Sequence, residues 1–161
     1  MSGDTVMSDK EQTSGTEGIM GLLSKLSFFS IFTDEEKEVL SKLSNHIYSY
    51  KVGESIVHQG DFDPSLYILI KGLIHITKNE RPKVVLAKVK PGEIFGEIAF
   101  ITQAARTANA IAGAPTIALK LDGKIFNKLT AEIQNKFRSR FIEVLINRLD
   151  NMNSQYIRGQ A

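Results

Sequence analysis

From about Asn45 to Leu121 apolar residues recur at period two in short runs, and glycine or proline closes most of them. Period two puts alternate side chains on opposite faces of a strand, so this stretch must build short strands joined by tight turns. Ile47-Tyr48-Ser49-Tyr50 leads into Val52-Gly53-Glu54, Ile56-Val57-His58 ends at Gln59-Gly60-Asp61, and Asp63-Pro64 precedes a run from Leu66 to Ile70. Lys71-Gly72 reads as a tight turn, because glycine enters positive φ without steric penalty. Ile74 and Ile76 alternate with His75 and Thr77. Asn79-Glu80-Arg81-Pro82 then turns the chain, and Val85, Ala87 and Val89 follow. Ala108 to Ala112 and Ile117 to Leu121 flank Gly113-Ala114-Pro115. Many short strands with frequent glycine turns predict a mainly β jelly roll over residues 45–122.

On either side the period becomes helical. A helical pattern starts at Ile19 with Met20, Leu22, Leu23 and Leu26, and Phe28, Phe29, Ile31 and Phe32 make a dense apolar knot. Thr33-Asp34-Glu35-Glu36 has the spacing of a capping box and predicts a second helix through about Leu43. After Asp122-Gly123, residues Ile125, Phe126 and Leu129 predict a short helix, and a longer one runs from Ala131 to about Asn153. Its stripe of Phe137, Phe141, Leu145, Leu149, Met152 and Tyr156 must be covered by the barrel, by a ligand or by another chain. Residues 1–18, rich in Ser, Thr, Gly, Asp and Glu, read as a disordered tail. Residues 19–155 then form one domain, with N-terminal helices at 19–44 and C-terminal helices at 123–155.

A chain of 161 residues is enough for one domain with its own core. Cysteine is absent, which excludes disulfides and thiol catalysis. His46, His58 and His75 lack paired-ligand spacing, so no metal site is expected. The start of the chain has no signal-peptide core and no segment is apolar enough to span a membrane, so a cytoplasmic protein is expected. A net charge of +2 makes no case for nucleic acid or membrane binding, and the basic residues after Lys124 read as a solvated helix face. Gly96 is followed by Glu97 rather than Lys-Ser, so there is no P-loop, and no Gly-x-Ser-x-Gly elbow is present. No catalytic constellation emerges, and neither enzymatic activity nor a cofactor is expected.

The chemistry concentrates in Gly92-Glu-Ile-Phe-Gly-Glu-Ile-Ala-Phe-Ile-Thr-Gln-Ala-Ala-Arg-Thr-Ala108. Glu97 falls at a predicted helix start, where free backbone N–H groups favour an anion. Arg106 adds a planar fork that grips two phosphate oxygens at once. A carboxylate repels phosphate, so Glu97 calls for a neutral donor such as a sugar hydroxyl. Phosphate and ribose together point to a nucleotide. The structural alternatives are an Arg106–Glu97 pair inside the fold and a simple helix-start role for Glu97. Glu93 reads as solvated, and Asn109 has no evident role.

Phe95-Gly96-Glu97-Ile98-Ala99 with Arg106-Thr107-Ala108 resembles the phosphate-binding cassette of cyclic nucleotide-binding domains, the sensor modules of catabolite activator protein, cyclic-nucleotide-dependent kinases and cyclic-nucleotide-gated channels. Gly53-Glu54-Ser55-Ile56, Gln59-Gly60-Asp61, Leu66-Tyr67-Ile68-Leu69 and Gly72 resemble the strands the family places before it, and the likeness covers roughly residues 25 to 150. The resemblance implies a double-stranded β-helix jelly roll with an N-terminal helical bundle, a cassette at 95–108 and C-terminal lid helices. It implies Arg106 on a cyclic phosphate, Glu97 on the 2′-hydroxyl, Gly96 allowing close approach, and Ala99 keeping the cassette helix slim. Phe95, Ile98, Ala105 and Ala108 complete the ligand set. Thr107 reaches phosphate or base without deciding between cAMP and cGMP. Ala105 departs from the proline that many relatives carry. Leu145, Arg148, Leu149 and Met152 are the lid candidates.

The function so implied is a stand-alone sensor of cAMP or cGMP that catalyses nothing and binds neither DNA nor membrane. It would signal through a C-terminal helix that covers the base when the pocket is filled, to an unknown protein effector or to a second copy through that helix. The start at Met1 and the end at Arg158-Gly-Gln-Ala161 set the expectation of a stand-alone chain. The alternatives are a scaffold of the same fold without ligand, and a regulatory fragment of a transcription factor, channel or kinase.

Overall fold

The alternating segments pair into two antiparallel sheets. A computed structural model describes residues 5–6, 18, 20–43 and 46–160. The first sheet joins β1 (Thr5–Val6), β2 (Ile47–Tyr50), β9 (Thr116–Leu121), β4 (Leu66–Lys71) and β7 (Ile94–Phe95), in that order. The second joins β3 (Ser55–Val57), β8 (Asn109–Ala112), β5 (Ile74–Thr77) and β6 (Ala87–Val89). Thr5–Val6 falls in the segment expected to be a disordered tail and pairs with β2, Val6 opposite Tyr48. Apart from Gly18, the rest of that tail lies outside the described residues, as does the expected helix–barrel boundary at 44–45.

Strand β4 shows why its sequence runs apolar without alternation. Tyr67 and Leu69 face the other sheet, among Ile56, Val57, Ile74, Val89, Ala110 and Ala112. Leu66, Ile68 and Ile70 face the helices, against Phe28, Phe29, Phe32, Phe126, Phe137 and Phe141. A strand covered on both faces needs apolar residues at every position. At the end of β4, Gly72 takes φ 105°, and a Cβ there would lie 2.5 Å from the Pro115 carbonyl oxygen. Only glycine permits that approach of the two loops.

Five helices flank the sheets: α1 (residues 20–25), α2 (Asp34–Ser41), α3 (Glu97–Thr102), α4 (Gly123–Lys128) and α5 (Ala131–Gln160). Thr33 caps α2 with the reciprocal Glu36 bond that the spacing implied. The phenylalanine knot becomes a 3₁₀ turn, Ser27–Phe29, packed on α5. Helix α5 runs on to Gln160, past the expected end near Asn153, and at 30 residues is about 45 Å long. No stop signal lies between Asn153 and Arg158, and the helix continues through them. Phe137 and Phe141 are buried against the sheet, whereas Leu145, Leu149, Met152 and Tyr156 are exposed. The apolar stripe therefore has two halves, and the barrel covers only the first.

Candidate functional site

The segment between β7 and β8 is built around one backbone reversal. Gly96 takes φ 77° between β7 and α3, and a Cβ there would stand 2.6 Å from Arg106 Nη1. Glycine thus allows both the turn and the seating of the guanidinium. Helix α3 is only six residues long, under two turns, so its dipole is small and local. Gln103 closes it in the left-handed region at φ 54°, with its amide donating to Phe100 O at 2.7 Å.

Arg106 is 4% exposed. Its Nη1 donates to Gly96 O at 2.9 Å and its Nη2 to Ser65 O at 2.7 Å, with Asp63 Oδ2 at 3.8 Å. The guanidinium carbon lies 5.9 Å from the centre of the Tyr67 ring. Main-chain bonds lock the position: Arg106 N donates to Asp61 O, and Gly60 N donates to Arg106 O. Burial pushes the guanidinium pKa down, and the charge of Asp63 works against that shift. A guanidinium starts so high that it stays charged. The pairing considered from sequence, Arg106 with Glu97, is not what forms; the ionic partner is Asp63.

Asp63 itself was read from sequence only as part of a turn. Its Oδ1 accepts from Ser65 N at 3.1 Å and from Ser65 Oγ at 2.7 Å, and Lys120 Nζ stands 3.7 Å from Oδ2. The Asp-Pro-Ser run signals that Asx-type turn, but nothing local announces an arginine far along the chain. Burial pushes the Asp63 carboxyl up; the two Ser65 bonds, Lys120 and Arg106 more than offset this and hold it below the usual value.

Glu97, 2% exposed, points to the helical side. Arg148 Nη1 of α5 donates to Glu97 Oε1, and Arg148 Nη2 donates to Ile94 O at 2.6 Å. Of the four lid candidates, Arg148 is the one that bonds to the cassette. Leu145, Leu149 and Met152 sit exposed on α5, 37%, 58% and 64% accessible. Leu145 helps to line an apolar groove with Phe100, Ile101, Phe126, Phe141 and Ile142, and that groove takes in neither Glu97 nor Arg106.

The remaining cassette residues divide by exposure. Phe95 and Ala99 are buried, Ala105 and Ala108 half-buried, and Ile98 and Thr107 exposed. Phe95 stacks on Tyr67 with ring centres 4.9 Å apart. Glu93, read as solvated, accepts a bond from Lys90 N at 2.8 Å. Asn109, which had no account, accepts from Gln59 N and donates to Asn79 Oδ1, both at 2.8 Å, tying two turns together beside the cassette. Among the described residues no cluster of His, Asp or Glu could hold a metal ion, and no helix is long and apolar enough to cross a membrane.

Comparison with known proteins bears on this geometry. Residues 47–132 match the model of the cyclic nucleotide-binding domain. The chain is 29% identical over 119 residues to a cGMP-dependent protein kinase of Caenorhabditis briggsae, which covers 71% of this chain and 16% of the kinase. It is 32% identical over 95 residues to the cAMP-dependent protein kinase regulatory subunit of Dictyostelium discoideum, covering 56% and 29% respectively. The chain thus spans less than a third of the length of these curated relatives. Among solved structures, a cyclic nucleotide-binding domain from Methylobacillus flagellatus superposes with a TM-score of 0.74 at 22% identity, over 92% of this chain and 85% of that one. Two antiparallel sheets with flanking helices, a glycine-hinged cassette and a domain match over more than half the chain agree: this chain belongs to the cyclic nucleotide-binding domain family.

Proposed function

We propose that the chain is a sensor of a 3′,5′-cyclic nucleotide, with Arg106 taking the cyclic phosphate and Glu97 the ribose 2′-hydroxyl. The observation that carries this reading is the pairing of two buried opposite charges across one glycine. Arg106 and Glu97 are both nearly inaccessible, yet neither is the other's partner, and a Cβ at Gly96 would strike the guanidinium. Buried charges are costly to keep, and two of them in one short segment mark a functional site more often than a structural one. A cyclic phosphate carries one negative charge, which suits one guanidinium. Phe95, Ile98, Ala99, Ala105, Thr107 and Ala108 form the walls around these two groups. The relatives named for cAMP and for cGMP lie at similar identity, and Thr107 serves either base, so the ligand is proposed as a class.

The sensor is cytoplasmic and carries out no chemistry, and its output is a change in the placement of α5. Ile142, Leu145, Leu149, Met152 and Tyr156 repeat at alternating three- and four-residue steps, the heptad spacing that suits pairing with another helix. An effector or a second copy of this chain would read that face.

One observation favours a second reading, a scaffold of the same fold. The fork of Arg106 is already engaged by Gly96 O, Ser65 O and Asp63. Titration calorimetry with cAMP and cGMP, on protein stripped of co-purified nucleotide, separates the two. The sensor reading expects one-to-one binding that Arg106→Ala weakens at least a hundredfold, from loss of a buried charge-assisted contact. No heat from a folded protein with either nucleotide would leave the scaffold.

A further inference from the structure

Glu97 and Arg106 are both covered by atoms of this chain, but by very different parts of it. Arg106 is held by main-chain carbonyls and Asp63 inside the barrel's own loops. Glu97 is held from outside, by a residue 51 positions further on in α5. A carboxylate buried this far needs a counter-charge, because leaving it unpaired is strongly destabilising. Arg148 supplies it, and its second nitrogen on Ile94 O pins the same stretch of helix to the entry of the cassette. Around Arg148, the residues Ile142, Leu145, Ile146, Leu149 and Met152 are all exposed, so little apolar burial holds this part of α5 in place.

We infer that Arg148 sets ligand affinity as an internal competitor for Glu97. The inference rests on the sensor reading above and gives that site its regulation. A ribose hydroxyl reaches a carboxylate only 2% exposed when the group covering it withdraws, and the group on its oxygen is the Arg148 guanidinium. Withdrawal gives up the Ile94 O bond as well, which unpins α5 beyond Phe141. Ligand at Glu97 and Arg148 at Glu97 therefore exclude one another, and excluding events at one atom are thermodynamically linked. No contact between ligand and α5 is needed for the signal. The exchange is unequal, since a guanidinium–carboxylate pair is stronger than a neutral hydroxyl bond to the same oxygen. Arg148 thus lowers affinity, and its removal raises it. Direction follows too: nucleotide loosens residues 142–160 rather than clamping them, the opposite of a lid that closes on the base.

The test combines titration calorimetry with hydrogen exchange of residues 142–158, on wild type, Arg148→Ala and Glu97→Gln. Arg148→Ala is expected to bind cAMP or cGMP about tenfold more tightly than wild type, a change of ~1.4 kcal/mol. Nucleotide should speed exchange of 142–158 in wild type, and in Arg148→Ala exchange should be fast at the outset and indifferent to nucleotide. Glu97→Gln breaks the same pair from the other side. It should share the fast exchange but bind nucleotide more weakly, which separates loss of the competitor from general loosening. Weaker or unchanged binding by Arg148→Ala, with wild type binding normally, would overturn the competitor and make Arg148 a positioning residue for Glu97. Slower exchange of 142–158 on adding nucleotide would overturn it as well. Absence of heat in wild type and in folded Arg148→Ala alike would overturn the sensor reading itself, and the competitor with it.

Discussion

The two halves of α5 are one continuous helix held by opposite means. Before residue 142, Ile133, Phe137 and Phe141 are buried in the core shared by the first sheet and the phenylalanine knot. Phe137 touches the rings of Phe28, Phe32 and Phe126 at 5.8, 5.2 and 5.8 Å. Arg140 adds bonds to Phe28 O, Ser27 O and Ser30 Oγ. Beyond 142 the apolar residues are exposed, and Arg148 ties the helix to the cassette. The first half belongs to the fold; the second is attached by contacts weak enough to be exchanged for something else. A helix can therefore carry a signal without being unstable, provided its anchorage is unevenly distributed along it.

The sharpest way to break the comparison is to remove an anchor from each half. Phe137→Ala deletes a ring with no exposed surface and leaves a cavity among four aromatics. It is expected to lower unfolding free energy by about 3–5 kcal/mol in chemical denaturation. A loss below ~1 kcal/mol would mean that the first half is no better anchored than the second.

Sequence legibility followed the same division. The capping box at Thr33 and Glu36 could be read because its two partners are three residues apart. The phenylalanine knot and the Phe137–Phe141 stripe could be read because apolar burial is written into local periodicity. Gly72 and Gly96 were legible as turns, while the atoms that make glycine necessary there, Pro115 O and Arg106 Nη1, are distant in the chain. The partners of the charged groups were not legible. Asp63 with Arg106, Arg148 with Glu97, and Asn109 with Gln59 are joined across 40 to 50 or so residues by topology alone. An arginine on a helical surface face has the same local spelling whether it is solvated or seated on a carboxylate. The end of α5 was missed for a related reason: Ser154, Gln155, Tyr156 and Ile157 neither stop a helix nor demand one.

The carboxylates of the cassette offer a second test, smaller in effect. Asp63 braces Arg106 from the barrel side, and its pKa lies below the ordinary aspartate value of 3.8. For a depressed carboxyl, the stabilisation is fully present above the unfolded value and is lost as pH falls through the folded one. Acid unfolding below about pH 4 should therefore be less steep in Asp63→Asn than in wild type. The difference should stay under ~1 kcal/mol, because the aspartate is 43% exposed and solvent screens it. Circular dichroism melts between pH 5 and 2.5 would show it, and identical pH dependence would remove Asp63 as the brace.

The least effect is expected where the apolar stripe is most conspicuous in the sequence. Leu149 is 58% exposed and outside the core, so Leu149→Ala should change unfolding free energy by no more than ~0.5 kcal/mol. At matched concentration the first half of α5 would not register the change. If a second copy or an effector covers this face, the same substitution acts there and not on the fold: a heptad position loses its side chain and the partner loses its contact. Sedimentation equilibrium of wild type and Leu149→Ala over a range of concentrations reads that directly. A shift toward the monomer mass with the melting temperature unchanged would place Leu149 in an interface. A fall in melting temperature that is independent of concentration would show that the second half is packed into the fold after all, and the contrast between the halves would fail.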